Sequence, residues 1–372
     1  MLDSADDIDS DRVRLETLGM KLLITGICGF VGAHVARRFV EAGHAVIGID
    51  NLIRSGAQLN RDLLKKMGVK IFHGDIRSAS DFETLPAVDH VIDAAANPSV
   101  LAGVDGKSSS RQVVEHNLLG TINILEYCRR VNSGLVLIST SRVYAIEPLA
   151  TLPLMVSNEA FRIDERKPLP TGVSAQGIAE DFSTRAPVSL YGATKLASEA
   201  MALEYGEAFG LPIRINRCGV LAGAGQFGHA EQGIFSFWLH SYRAKRPLKY
   251  INFGGLGHQV RDALHPEDLY RAIDLQLRSV PSTLPKVMNL SGGARQSMSL
   301  AQLSNWCKDR WGTHEITSAP AARPYDVPWM VLDAKLAIES LGWKPTISLE
   351  AILTEIAEHA EANPNWLEIC LG

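Results

Sequence analysis

The chain predicts an α/β fold: a doubly wound parallel sheet with a smaller α/β part interleaved toward the C-terminus. Three observations carry that reading. Short apolar runs alternate with helical patterns, beginning with Lys21–Thr25 and Ala45–Asp50. A glycine-rich turn, Gly26-Ile27-Cys28-Gly29-Phe30-Val31-Gly32, joins the first run to the first helical pattern. Far downstream, Tyr191-Gly192-Ala193-Thr194-Lys195 leads into a helical stretch, which sets a phenol and an amine one turn apart on one face.

The glycines have separable tasks. Gly26 permits a tight turn, Gly29 lets the backbone approach a pyrophosphate, and Gly32 lets the helix sit close to the strand, with Phe30 and Val31 opening that helix. Asp50, with Asn51 beside it, falls where an acid receives the ribose hydroxyls of NAD and repels the extra phosphate of NADP. Strand, turn, helix, strand and acid in that order read as a Rossmann dinucleotide site with NAD as cofactor. Residues 69–76 and 88–96 read as further strands. Asp75 and Ile76 are expected at the adenine edge, and the small Ala94, Ala95 and Ala96 leave room for the dinucleotide. A helix over 109–131 carries Asn117, which either satisfies backbone groups near the site or faces water.

The chemistry is expected where another strand, 134–138, ends in Ser139-Thr140-Ser141-Arg142. A free phenol loses its proton near pH ~10, and an ammonium beside it lowers that value toward the working range. Tyr191 then serves as base, Lys195 as the group that acidifies it, and Thr140 as a hydroxyl that orients substrate, although such hydroxyls also suit a strand-end cap. Residues 147–187, with five prolines at or near them, read as an irregular surface excursion that could cover the site. A sixth strand is expected over 212–216. The glycine- and glutamine-rich 219–228 and Glu231-Gln232-Gly233 that follow suit a small polar ligand. Arg261 suits bidentate phosphate binding and equally a salt bridge to Asp262.

Composition bounds the rest. Across 372 residues the net charge is −4, with no basic run, so neither a nucleic-acid nor a membrane face is indicated. No stretch has the apolar length of a membrane span. Five scattered cysteines without a Cys-x-x-Cys pair read as reduced thiols of a cytoplasmic protein, and eleven histidines without ligand spacing give no metal site. The acidic residues 1–19 read as a mobile leader. Residues 20–216, with roughly 257–290, form the expected NAD-binding domain, and 217–256 with 291–372 the substrate-binding domain.

In order, Gly26-x-x-Gly29-Phe30-x-Gly32, Asp50-Asn51-Leu52, Gly74-Asp75-Ile76, Asn117, Ser139-Thr140, Tyr191-x-x-x-Lys195, Arg261-Asp262 and Leu341-Gly342-Trp343 resemble an extended short-chain dehydrogenase/reductase of the sugar-nucleotide epimerase and dehydratase group. Gln226-Phe227-Gly228, Glu231-Gln232-Gly233 and Gln259-Val260-Arg261-Asp262 are similar to its CDP-paratose 2-epimerase branch. The resemblance implies Thr140, Tyr191 and Lys195 as catalytic residues, the last two also at the cofactor. It implies NAD retained through the cycle and a sugar carbon inverted through a transient keto intermediate. A nucleotide-sugar substrate, CDP-sugar favoured, is expected against Ser141, Arg142, Gln226, Gln232, Arg261 and Arg323. A homodimer through 109–131 and 191–209 is also implied. Four positions depart from the group. Ser141 and Arg142 stand where dehydratases carry Asp and Glu, Asp93 where His is usual, and Val220 where 4-epimerases often carry a pyrophosphate-binding Asn. A UDP-sugar 4-epimerase, a reductase and a non-catalytic NAD sensor are the competing readings.

Overall fold

The computed structural model describes residues 19–104, 106, 109–228 and 232–371. The expected leader, Gly19 apart, and Glu231 lie outside them. Seven strands form the main sheet: β1 (Lys21–Thr25), β2 (Ala45–Asp50), β3 (Lys70–His73), β4 (His90–Asp93), β5 (Gly134–Thr140), β6 (Ile213–Cys218) and β7 (Val287–Leu290). All pair in parallel, in the order β7-β6-β5-β4-β1-β2-β3. The winding reverses between β1 and β4, which opens a crevice at the carboxyl ends of those strands.

Helices cover both faces, and this is why Leu22, Leu23 and Ile24 can all be apolar and buried. One face packs on Val35 and Phe39 of α1 (Phe30–Glu41), the other on Ile124 and Leu125 of α2 (Gly120–Val131) and Ala202 of α3 (Ser189–Phe209). The strands are shorter than periodicity suggests. β4 keeps register with β1 and β5 only from His90 to Asp93, so residues 94–96 leave the sheet at the crevice rather than extending it. The expected helix over 109–131 is likewise interrupted by a π turn at Glu115–Leu119. There the Asn117 carbonyl accepts the hydroxyls of Thr121 (2.7 Å) and Ser198 (2.9 Å), drawing it toward the neighbouring helix.

Beyond β6 the chain is more regular than expected. Val220–Leu221, Val260–Leu264, Ser297–Ser299 and Trp329–Met330 make a second, mixed sheet centred on Val260–Leu264. Phe235, Trp238, Leu303 and Ile356 form its core. The 147–187 excursion corrects the sequence reading most. Its Leu154–Ser157 and Ala160–Ile163 form one hairpin, Val173–Ser174 and Gly177–Ile178 another. Ile178 bridges to Leu332, and Ile163, Ile178 and Phe182 bury with Val327, Trp329 and Val331. Apolar anchoring on that late segment keeps the excursion off the cavity described below, which none of its residues lines. Among the described residues no helix is long and apolar enough to cross a membrane, and no group of three or more His, Cys, Asp or Glu could hold a metal ion.

The core of the second part holds a titratable group. His240 is buried beside His359 (Nε2 to Nδ1, 3.3 Å), and burial pushes its pKa down to about 3 from an ordinary 6.5. Above pH 6.5 the ring is neutral in both folded and unfolded chains and contributes no pH dependence. As pH falls below 6.5 the unfolded chain takes up a proton that the fold refuses, so stability is lost progressively toward pH 3. Urea midpoints measured between pH ~7 and ~5 should therefore decline, and the decline should be shallower in His240→Gln. Parallel slopes for the two proteins would exclude His240 as the source.

Candidate active site

The glycine turn is built as a cradle. Gly26 has φ 61, its amide bonds the Ile49 carbonyl (2.9 Å), and a Cβ added there would meet the Ala95 Cα at 2.8 Å. A Cβ on Gly32 would come 2.2 Å from the Gly26 carbonyl oxygen, so only glycine lets α1 start this close to β1. No side chain caps the N-terminus of α1, and its first-turn amides face the crevice end of the sheet. At the tip of β2, Asp50 accepts from the amides of Cys28 (2.9 Å) and Leu52 (2.8 Å). Burial raises its carboxyl pKa, and those two amides oppose the rise. Asn51 donates to Asp75 (2.9 Å), whose carboxylate also pairs with Arg77 (2.6 Å), so that acid orders its own turn. Ile76 is buried against Gly120, and its carbonyl accepts from Asn123 (2.8 Å). Ala94, Ala95 and Ala96 follow β4 into the crevice, with the Ala95 amide bonded to Thr25 and Asp93 (3.3 Å each). Asn117 takes the backbone-satisfying role: its amide clasps the Asn97 amide (2.8 Å) and carbonyl (3.1 Å) and donates to Thr194 (3.1 Å), tying the 94–97 loop to α3.

Thr140 ends β5, and α3 brings Tyr191 against it. Burial raises the phenol's pKa, while a hydrogen bond with Thr140 and the charge of Arg142 favour the phenolate. Lys195, one turn on, is only 2 % exposed. Burial lowers its pKa, opposed by the carboxylates of Asp93 and Glu199. Among the described residues nothing hydrogen-bonds or ion-pairs with its ammonium at close range, so three donors in the crevice await acceptors. A dinucleotide would fit such a place: its ribose hydroxyls would supply acceptors to Lys195 and donors to Asp50, and its pyrophosphate would suit the glycine cradle. Glu199 is held elsewhere, in a bidentate pair with Arg217 (2.7 Å) and by the Ser139 hydroxyl.

Two residues past Thr140, Arg142 reaches a cavity between the two sheets, which Thr140, Tyr191 and Lys195 do not themselves line. Arg142, Gln232, Arg261 and Arg323 line it, with Val100, Leu101 and Val220 among the apolar walls. Arg261 turns away from its sequence neighbour Asp262 and pairs with Asp326 (2.7 Å). Asp262 instead holds the second sheet, accepting from Leu332 (3.0 Å), Val220 (3.4 Å) and Ser291. Ser141 is buried behind the cavity wall, and Gln226 donates to the Leu221 carbonyl (2.7 Å) without lining the cavity.

Known proteins match this geometry along most of the chain. The profile of the NAD dependent epimerase/dehydratase family matches residues 22–291. The chain belongs to this family. It is 29% identical over 338 residues to the CDP-paratose 2-epimerase of Salmonella typhi, covering 88% of this chain and 96% of that one. It is 26% identical over 353 residues to the UDP-glucuronate 4-epimerase of Thermodesulfobacterium geofontis, covering 92% and 96%. The solved UDP-glucose 4-epimerase of Thermus thermophilus, complexed with NAD, superposes with a TM-score of 0.70 at 26% identity, over 92% and 99% of the two chains. As a member of the epimerase/dehydratase family the chain is an NAD-dependent enzyme of epimerase type.

For an epimerase/dehydratase of this kind, Asp50 should set the choice of dinucleotide. Calorimetry should find NAD bound more tightly than NADP, and Asp50→Asn should narrow the gap by removing the repulsion of the extra phosphate. Tighter NADP binding by the unaltered protein would contradict that. Sequence reasoning missed Asp326, the partner of Arg261, because 65 positions separate the two and only the pairing of Val260–Leu264 with Trp329–Met330 brings them together. It also missed Glu199 and Arg217, whose residue types look like ordinary surface charges on a helix and a strand. Asp93 carried a signal, as an acid ending an apolar strand, but its position facing Lys195 required the sheet order.

Proposed function

We propose that this enzyme inverts a ring carbon of a nucleotide sugar, with a CDP-sugar favoured, through a transient keto intermediate. The observation that supports this is Tyr191 buried against Thr140, with the buried Lys195 one turn on, while two residues past Thr140 the chain reaches a cavity lined by Arg142, Arg261 and Arg323. Arg142, Arg261 and Arg323, against Asp326 as the one acid among the described lining residues, suit the two negative charges of a diphosphate. NAD, when bound, supplies the oxidation of the carbinol and its reversal. Tyr191 takes the proton of the sugar hydroxyl and later returns it, and Thr140 orients that hydroxyl. The sugar presents its other face within the cavity. Elimination is not served, because an acid and a base would have to flank the reacting carbons, and Ser141 is buried while Arg142 is a cation. Similarity to CDP-paratose 2-epimerase supports the CDP choice.

Incubation with CDP- and UDP-sugars followed by NMR tests the proposal. Inversion of a CDP-sugar without net change in nicotinamide absorbance is the expected result. Inversion of UDP-glucuronate instead would transfer the reading to the 4-epimerase relatives, net absorbance change to a reductase, and bound NAD with every sugar unchanged to a sensor. We infer a homodimer through 109–131 and α3, supported by the exposed Val114, Leu119 and Phe209 on these segments; sedimentation measures it.

A further inference from the structure

We propose that the C-terminal helix, Trp366–Leu371, is a clip that holds the segment Gln226–Gly228 down on the edge of the dinucleotide crevice and so sets how slowly NAD leaves. The inference rests on the proposed function, since an enzyme that returns its hydride to the same sugar must keep the dinucleotide between the two transfers. The helix lies beyond residues 22–291, the stretch that the family profile matches. Three parts of the chain meet at it. From the cofactor side come Phe30, next to Gly29 of the cradle, and Arg54 and Gly56, which follow Asp50 by a few positions. From the substrate side come Gln226 and Phe227. The helix itself supplies Trp366, Ile369 and Cys370.

Phe227 is the hinge pin of the junction and is only 4 % exposed. The Trp366 ring stacks on it, with centroids 5.5 Å apart and planes 16° from parallel, and the indole N–H donates to the Gln226 carbonyl (2.9 Å). The Arg54 guanidinium donates to the Phe227 carbonyl, and Phe30 packs against the cluster of Phe227, Trp366 and Cys370. Gly56, at φ 90, leaves just enough room: a Cβ there would fall 2.5 Å from the Phe227 ring and 3.2 Å from the Ile369 side chain. The same segment reaches the substrate cavity, because a Cβ on the lining residue Gly233 would meet the Gln226 side chain at 2.9 Å. Two contacts fix the helix to the second part of the chain: Glu368 pairs with Arg246, and the Trp366 ring meets His359 edge to face at 4.6 Å. Phe227 therefore touches both the loop after Asp50 and a ring carried by the last helix. Asp50 is itself held by the Leu52 amide (2.8 Å) of that loop, so freeing the loop loosens a group expected at the cofactor. Trp366 and Phe227 are positioning residues in this account, and neither is asked to touch the reacting atoms.

The test follows exchange of bound NAD for isotope-labelled NAD in the full-length enzyme, by rapid desalting and mass spectrometry. No sugar is added, so the outcome holds whether or not a nucleotide sugar is ever inverted. Trp366→Ala should speed exchange about tenfold, the factor that loss of an aromatic stack supplies. Trp366→Phe, which keeps a ring on Phe227, should restore most of the wild-type rate. Phe227→Leu should speed exchange as Trp366→Ala does, and the double variant should be little faster than either, because the two rings act as one pair. Leu353→Ala, in the core of the second part, should lower the urea midpoint yet leave exchange unchanged, which separates the clip from general loosening. Circular dichroism checks that each variant is folded, and Phe227→Leu against Leu353→Ala decides the matter if Trp366→Ala is not. Wild-type exchange in folded Trp366→Ala or Phe227→Leu, or equal acceleration in Leu353→Ala, would overturn the proposal.

Discussion

Tyr191→Phe should cut turnover by ~10²–10⁴-fold while leaving NAD binding and the fold intact, the usual range for loss of a positioned proton-transfer group. The ring is buried against Thr140 at the end of β5, and a phenylalanine keeps its volume and its packing. Only the oxygen is lost, together with its hydrogen bond to Thr140. Under the proposed function the effect should appear in kcat more than in KM, because the phenol would engage only the reacting hydroxyl while the arginines of the cavity would hold the rest of the substrate. Steady-state kinetics on whichever nucleotide sugar is turned over, with calorimetry for NAD, measures both. Near-wild-type turnover would remove Tyr191 from the chemistry.

The second large effect concerns stability. Glu199 and Arg217 are both buried, joined by bonds of 2.7, 3.1 and 3.2 Å, and Arg217 lies over the Tyr144 ring at 5.2 Å. Arg217→Met should destabilise the protein by ~3–5 kcal/mol in urea unfolding, because an unpaired carboxylate is left in a dry interior. The double change Glu199→Leu with Arg217→Met should recover much of that loss, since two apolar groups need no partner. A single substitution costing no more than a surface change would show that water reaches the pair. Activity should fall with stability, because Glu199 sits one turn beyond Lys195 and is bonded to Ser139, the neighbour of Thr140.

Local signals in the chain reached a long way. The glycine spacing, Asp50 at the end of an apolar run, and Tyr191 four positions from Lys195 are constraints that short segments impose on themselves through turn sterics and helical periodicity. They were legible without coordinates, and so was the alternation that makes a doubly wound sheet. Where the reading fell short, the deciding partner was remote. The 147–187 segment has proline-rich, irregular local chemistry, yet it folds into hairpins because Val327, Trp329 and Val331 offer it an apolar seat. Arg261 was balanced between a phosphate and Asp262, and the structure supplied a third partner in Asp326.

What the amino-acid order determined by itself was the dinucleotide-binding half of the fold, the setting of Tyr191 and Lys195 one turn apart and the absence of a span-length apolar stretch, all of them consequences of spacing along a few turns or strands. What only the tertiary structure decided was the pairing of charges: Glu199 with Arg217 and Arg261 with Asp326. Coulomb energies depend on separation and on exclusion from water, and neither quantity is written in sequence distance.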